Sequence, residues 1–429
     1  MPAKKISAKV APFGLKEGRD SFNPEKLSRT FLKYVVMPAL ILIVFIDLLG
    51  FGLIIPILPF YAEHFGAAPG VVTLLMASYS TMQFISAPFL GSVSDRFGRR
   101  QVILLSLVGT CAAYLFMAYA SSLLMLFVAR MLAGFFAGNI AAAQAYIADV
   151  TEPENRARGM GFFGAAFGLG FIFGPVIGGV LSGSSSGEVN FYMAPLFAAG
   201  LSAVAAVLTL ALLKEPEKNK GIGKREGRWF APIVGAIKQP DMKPLILLFL
   251  LVMFVFAGLE ATIALWAERQ FYWGPREVGY LFAYVGVVAA IVQGGLIGPA
   301  TRAWGEERVI FVGVWALIMG FVLMPLSSNL SLLLVATALL AGGFGFCNPA
   351  LNSLISRRAS SAGQGAALGV AQSGASMARI MGPAFAGAIF GIWGRHAPYV
   401  AGAIILLFAA GVAWQLVRAS ARSQQVSQK

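Results

Sequence analysis

The sequence contains little charge and almost no cysteine or histidine. Only 12% of its 429 residues are Asp, Glu, Lys or Arg, whereas about 25% is normal for a soluble domain. Two cysteines are too few for a disulfide framework, and no metal site is expected from them. Both cysteines, Cys111 and Cys347, lie inside apolar runs and are predicted to be free thiols. With 58% hydrophobic residues and a mean hydropathy of +0.76, the chain is not a soluble enzyme.

We expect no secretory signal peptide at the amino end. Residues 1–32 are polar and basic, with neither an apolar core nor a small-residue cleavage site. We predict that they form a cytoplasmic tail. The net charge of +14 is not accompanied by a nucleic-acid-binding motif, so no nucleic acid partner is expected.

Apolar runs long enough to cross about 30 Å of hydrocarbon follow one another along the rest of the chain. We predict an all-α membrane protein with twelve transmembrane helices near 34–61, 70–90, 102–120, 123–147, 159–181, 192–213, 244–267, 277–298, 309–326, 331–355, 365–391 and 398–417. A break rich in Lys, Glu, Gly and Pro at 214–243 is typical of a linker. It divides the chain into an amino-terminal bundle, 33–213, and a carboxy-terminal bundle, 244–418, followed by a tail at 419–429.

The two bundles repeat each other. Leu132-Ala133-Gly134 returns as Leu340-Ala341-Gly342, and Gly174-Pro175 returns as Gly382-Pro383 at the same spacing. Several matches in one register predict two pseudo-symmetric six-helix bundles with a binding site between them near the middle of the membrane.

Basic residues indicate the orientation of the chain. With the amino end inside, 28 of the 33 Lys and Arg residues fall in the tails and inward loops, and three fall in outward loops. The remaining two lie within spans. This asymmetry predicts that both ends and the linker face the cytoplasm.

A short cationic turn, Gly91–Arg100, separates the second and third spans. Its notable residues, with an acid farther along the chain, are Gly91, Asp95, Arg96, Gly98, Arg99, Arg100 and Asp149. The repeat copy at 298–307 has Arg where the first copy has Asp, and Glu-Glu where the first copy has Arg-Arg. The simplest interpretation is a loop that obeys the positive-inside rule.

Charged residues inside the spans are the candidates for chemistry. Asp47 lies near the bilayer centre, where a carboxylate costs several kcal/mol unless it is paired or protonated. It is therefore a candidate for proton exchange, with Arg130 as its candidate partner and Glu260 as its main rival. The alternatives are a structural carboxylate for Asp47 and a structural ion pair for Arg130. Side chains considered for a substrate cavity are Asn139, Gln144, Trp266 and Arg379.

The fifth span has an unusual number of glycines. Its motif residues are Gly170, Gly174, Pro175, Gly178 and Gly179. Three of the glycines are four residues apart, so they form a smooth stripe against which a neighbouring helix can pack closely. The proline permits a bend because it lacks a backbone N–H group.

Taken together, these motifs resemble the major facilitator superfamily, and in particular its tetracycline-efflux-like branch of drug:proton antiporters. The resemblance rests on Gly91–Arg100, on Arg130-x-x-x-Gly134 and on Gly170–Gly179, which is similar to the antiporter motif of that branch. It implies that Asp47 and Arg130 belong to proton coupling. It also implies that the Asp95 loop closes the cytoplasmic side, with Asp95 facing the amino end of the eleventh helix.

The resemblance leaves the substrate open. Tetracycline exporters of this branch carry acidic residues in the third and ninth spans, whereas Val102–Tyr119 and Val309–Leu326 contain none. We expect proton-driven export of amphipathic molecules such as drugs, without a cofactor, by a monomer in a bacterial inner membrane among membrane lipids. The alternatives are a translocator of a lipid or lysolipid on the same fold, and a membrane scaffold or sensor that transports nothing.

Overall fold

A computed structural model describes residues 36–151, 155–184, 189–215, 242–359 and 364–427. The predicted tail at 1–32 and most of the predicted linker at 214–243 lie outside these ranges, so the domain boundaries stay predictions. Within the described ranges the regular structure is helical throughout, and twelve spans are long and apolar enough to cross a membrane. The prediction of a twelve-helix, all-α membrane protein is confirmed.

The spans are labelled α1 to α12. The first six are α1 Met37–Ile54, α2 Pro69–Phe97, α3 Arg99–Ala118, α4 Leu123–Phe136 continuing as Asn139–Val150, α5 Arg156–Ser182 and α6 Met193–Leu212. The last six are α7 Lys243–Phe271, α8 Pro275–Ile291 continuing through a π-turn as Ile297–Trp304, α9 Glu306–Leu326, α10 Leu330–Arg358, α11 Gln364–Trp393 and α12 Ala397–Ser427. A short helix, Leu58–His64, follows α1.

Helix ends differ from the predictions where proline or backbone geometry intervenes. The predicted first span is interrupted after Ile54, because Pro56 cannot donate a backbone hydrogen bond, and it resumes as the short helix. By contrast, α2 continues past its predicted end and includes the cationic turn as far as Phe97. The turn itself is reduced to Gly98. At the carboxy end, α12 continues to Ser427, through most of the predicted tail.

Exposed apolar stripes mark the surface that faces lipid. On α6, Val204, Val207 and Leu210 recur every three residues and are more than half exposed. The opposite face of the same helix buries Ala198 and Ala205. A helix that exposes large apolar side chains while burying small ones is suited to a bilayer, where the lipid covers the exposed side chains.

An even number of spans places the start of α1 and the end of α12 on one side, here called the tail face; the opposite side is the far face. On the far face the two bundles are in contact. Arg269 of α7 donates to Glu63 of the short helix at 2.7 Å. Ser184, just after α5, donates to Glu277 of α8 at 2.6 Å. Both are contacts between the amino-terminal and carboxy-terminal bundles.

Toward the tail face the bundles separate. At Gly179, on the far-face side of α5, an added Cβ would lie 2.6 Å from the carbonyl oxygen of Pro275 in the second bundle. At Gly161, Gly164 and Gly168 of the same α5, nothing lies within 4 Å of that position. Among the glycines of α5, contact with the second bundle is therefore found only on the far-face side, and we call this arrangement tail-open.

Candidate functional site

The glycine stripe of α5 packs against α1 directly after Asp47. A Cβ at Gly170 would lie 3.0 Å from Leu48 Cβ, and one at Gly174 would lie 2.7 Å from Gly52 Cα. Gly178 meets the backbone of Leu53. Because no side chains stand between them, the two helices are in backbone contact along the segment that carries the embedded acid.

The other side of α5 contacts the second bundle. A Cβ at Gly179 would lie 2.6 Å from the carbonyl oxygen of Pro275, which begins α8. One turn earlier, the Pro175 carbonyl oxygen faces Gly279. The predicted antiporter motif therefore connects the helix of Asp47 with the interface between the bundles, and a shift of α5 must alter both contacts.

Arg130 of α4 is only 4% exposed, and its described contacts are aromatic. Its guanidinium lies over the ring of Tyr79 at 4.4 Å and over the ring of Phe51 at 5.9 Å. The two rings also touch each other, with centroids 4.9 Å apart. Ring faces attract cations and partly replace the water that burial removes. Arg130 is thus held by two rings, one on α1 and one on α2.

Tyr79 is the residue on which the embedded charges converge. The charges of Asp47 and Arg130 from the first bundle act on it, as does that of Arg379 from α11. Sequence reasoning missed this tyrosine. The signal that could have found it is the polar run Ser78–Thr81 in the middle of an apolar span.

The second bundle places its two embedded charges near each other. Glu260 of α7 is half-buried, and the charge of Arg379 is its main electrostatic partner. Arg379 also donates to Ser376 at 3.4 Å. Arg379 acts electrostatically on Glu260 of its own bundle and on Tyr79 of the other, so it links the embedded polar groups of the two bundles.

The predictions for the substrate cavity have different outcomes. Trp266 does not line a cavity: it is fully buried, with its indole nitrogen 3.3 Å from His396, because α7 turns this position toward the core of the second bundle. Gln144 and Arg379 are exposed. The side chain of Asn139 lies outside the described part of the structure.

The cationic turn is organised by Arg99, at the start of α3. It pairs with Asp95 at 2.6 Å and with Asp149 at 3.1 Å, and it donates to Ser94 at 3.2 Å. Asp149 ends α4, so Arg99 joins the ends of three helices. Asp95 is two-thirds exposed in this tail-open arrangement. Its predicted partner on α11 falls at residues that the structure does not fully describe.

Two further contacts attach the turn to α6. Arg100 donates to the carbonyl oxygen of Leu210 at 2.8 Å, near the end of α6. Glu215, just beyond α6, accepts from the backbone N–H groups of Arg99 at 2.6 Å and Arg100 at 3.1 Å. Each helix end is therefore capped by a side chain from the other.

The remaining motif residues lie around these contacts. Arg96 is exposed, with its guanidinium 5.4 Å from the Phe97 ring centroid. Gly91 is half-buried, and a Cβ there would meet nothing within 4 Å. Gly98 has a φ of 117° and leaves room for the Glu215 carboxylate.

Two helical bundles that meet on one face, separate on the other and bury charges between them define a membrane transporter that works by alternating access. The family model of the Major Facilitator Superfamily matches residues 40–363 and 270–429. The chain belongs to this superfamily. The predicted resemblance and the predicted two-bundle fold are confirmed.

Relatives support the same branch. The "Tetracycline resistance protein, class C" of Escherichia coli is 34% identical over 80% of this chain and 87% of its own length. "Multidrug resistance protein 1" of Bacillus subtilis (strain 168) is 29% identical over 89% of this chain and 97% of its own length. Among solved structures, that of the human organic anion transporter MFSD10 (TETRAN) has a TM-score of 0.66 at 24% identity, and it covers 91% of this chain and 100% of that one.

Proposed function

We propose that this chain exports amphipathic small molecules, drugs among them, in exchange for protons. The observation that carries the proposal is the convergence of Asp47, Arg130 and Arg379 on Tyr79 at the interface between the bundles. A charge change at one of these residues alters the electrostatic energy of the others, because they lie in a site with few competing charges.

Asp47 is the proposed proton carrier. Protonation removes its negative charge from α1, at the segment where α1 and the glycines of α5 are in backbone contact. Since α5 also contacts α8, a movement of α1 relative to α5 is transmitted to the interface between the bundles. A substrate that competes for the same cavity would bias this equilibrium through its different affinity for the two states.

The cluster around Arg99 is the proposed gate of the tail face. In the tail-open arrangement Asp95 is held by Arg99, within its own turn. Closure of the tail face would bring it toward the amino end of α11, where the positive end of the helix dipole stabilises an anion.

The tail face is the proposed cytoplasmic side of a bacterial inner membrane. The support is the distribution of Lys and Arg, 28 against three. An impermeant thiol reagent applied to intact cells should label Ser328→Cys on the far face and spare Ser92→Cys in the cationic turn. The reverse labelling would invert the orientation.

The names of the relatives favour drug export over the alternatives of lipid translocation and a non-transporting scaffold. A monomer and the absence of a cofactor remain predictions.

Asp47→Asn tests the proposal because asparagine resembles the protonated acid and cannot release a proton. In proteoliposomes with an imposed pH gradient, we expect it to abolish proton-driven transport of ethidium and tetracycline, used as probes. Binding of the same probes should stay within about tenfold, or ~1.4 kcal/mol.

Glu260→Gln is the matched control, since it removes the other embedded acid. If Asp47→Asn still concentrates a probe and Glu260→Gln does not, the proton is carried by the second bundle. If neither substitution affects transport driven by the gradient, proton exchange at these acids is refuted.

A further inference from the structure

A second group of charges lies on the far face, away from the central site. Glu63 of the short helix faces Glu268 and Arg269, at the end of α7. We call these three residues the far-face latch. Glu63 belongs to the first bundle and the other two belong to the second, so the latch is formed only when the far face is closed.

The latch contains two acids and one base. Arg269 donates to Glu63 at 2.7 Å and is also held by the Leu265 carbonyl oxygen at 3.2 Å. The carboxyl group of Glu268 lies close enough to that of Glu63 for the two to interact directly. Oε2 of Glu268 is buried, and no N–H or O–H donor of another described residue faces it.

This geometry favours one bound proton over two ionised acids. Ionised carboxylates are acceptors only, so two of them cannot form a hydrogen bond with each other. With both acids ionised, a single guanidinium would face two negative charges, and the buried oxygen of Glu268 would have no donor. One proton shared between Glu63 and Glu268 supplies the missing donor and leaves one negative charge for Arg269.

Other charged and titratable groups near the latch do not supply this proton. Arg395 donates to the backbone carbonyl of Arg269 rather than to either acid. His396 faces Trp266, and burial together with Arg395 lowers the pKa of the imidazole. His64 is exposed, and its ring packs against Phe65 and Phe191.

We propose that the far-face latch is a proton-binding site and that closing the far face takes up a proton there, between Glu63 and Glu268. Opening separates the bundles and the two acids, and the shared proton is released. Acid therefore favours the closed far face, and alkali favours the open one. The proposal goes beyond the transport function and does not depend on which central acid carries the coupled proton.

The expected size of the pH effect follows from the thermodynamic linkage between proton binding and closure of the far face. If closure binds one proton, the ratio of closed to open molecules falls by up to about tenfold for each unit by which the pH rises within the titration range. The central acids are removed from the measurement by working in an Asp47→Asn/Glu260→Gln background.

The measurement is a distance across the far face. Ser121 and Ser328 lie in exposed loops of different bundles and are replaced by spin-labelled cysteines after Cys111 and Cys347 are changed to alanine. Pulsed electron resonance of the full chain in nanodiscs, from about pH 5 to 8, should show the short-distance population decreasing as the pH rises.

Glu268→Gln should remove this pH dependence and keep the far face mostly closed, since the amide can donate to Glu63 without titrating. Glu63→Gln also removes one acid and should lose the dependence, so the test does not rest on one variant. Glu277→Gln is the matched control. This far-face glutamate also crosses the interface, but it accepts from Ser184 and from the Gly274 N–H group. It should leave the dependence unchanged.

Three results would overturn the proposal. The first is the same pH dependence in both latch variants as in the parent. The second is a parent whose distances do not change with pH. The third is a far-face distance that changes with pH in the protein with Asp47 and Glu260 intact but not in the Asp47→Asn/Glu260→Gln background. That result would assign the pH dependence to the central acids. None of these results bears on whether Asp47 drives transport, which the proteoliposome experiment decides separately.

Discussion

The turn between α2 and α3 and the turn between α8 and α9 occupy equivalent places in the two bundles, yet their charges are reversed. In the first, Arg99 pairs with Asp149, at the end of α4. In the second, Glu306 pairs with Arg357, at the end of α10. The second copy therefore keeps the contact between helix ends and exchanges the signs of its partners.

Because the charges are reversed, the two turns differ in how well their charges match the dipole of the helix that follows. Glu306 and Glu307 lie in the first turn of α9, where the helix dipole favours negative charge. Arg99 and Arg100 lie in the first turn of α3, where the same dipole disfavours positive charge. The carboxylate of Glu215 compensates by accepting from both of their backbone N–H groups. In the second turn, the negative charge at the start of the helix comes from Glu306 and Glu307 of the turn itself. In the first turn it comes from Glu215, more than a hundred positions away in the sequence.

The two turn glycines should show the largest difference. Gly98 and Gly305 have φ values of 117° and 82° with extended ψ, a conformation available essentially to glycine alone. Alanine at either should cost about 1–3 kcal/mol of backbone strain. At Gly98 its Cβ would also lie 2.6 Å from the Glu215 carboxyl carbon, whereas at Gly305 the nearest atom is 3.8 Å away.

We therefore expect Gly98→Ala to lower the free energy of unfolding by about 1–2 kcal/mol more than Gly305→Ala, the value of a lost helix cap. Denaturation monitored by circular dichroism in detergent measures both. Gly161→Ala, inside α5 where nothing lies within 4 Å, is the control and should not lower the free energy of unfolding, because alanine favours a helix more than glycine does. Equal losses at both turns would mean that the Glu215 contact contributes nothing.

The paired charges should differ by less. The Arg99 and Asp149 side chains are 18% and 21% exposed, whereas Arg357 is 73% exposed. A double-mutant cycle should give a coupling free energy of about 1 kcal/mol for Arg99–Asp149 and less than ~0.5 kcal/mol for Glu306–Arg357, because exposed pairs are screened by water. A larger coupling in the second bundle would contradict this ranking.

Glu215→Gln should lower the free energy of unfolding by about 0.5–1 kcal/mol, less than Gly98→Ala, because the amide oxygen can still accept one of the two backbone hydrogen bonds. Combining Glu215→Gln with Gly98→Ala tests whether the two positions act through the same contact. The double variant should be less destabilised than the sum of the single variants, since both disturb the same contact. Strict additivity in the same unfolding measurement would show that the two positions act independently.

The sequence by itself determined the twelve spans, the repeat and the family. Span length is a local property, because each apolar run must cross the same thickness of hydrocarbon, and the repeat is visible wherever Gly-Pro pairs recur in one register. Two of the departures from the predicted spans, the break at Pro56 and the continuation of α2 to Phe97, have local causes that the sequence also contains.

Only the tertiary structure decided which distant residues meet. The sequence predicts Trp266 at a cavity, but the side chain lies in the core of the second bundle. On a long apolar helix, the helices packed around it determine which side chains face the core. Tyr79 gathers charges from both bundles, Glu215 caps a helix far from it in sequence, and Glu63 meets Glu268 across the interface. Each contact joins segments that no periodicity in the sequence relates.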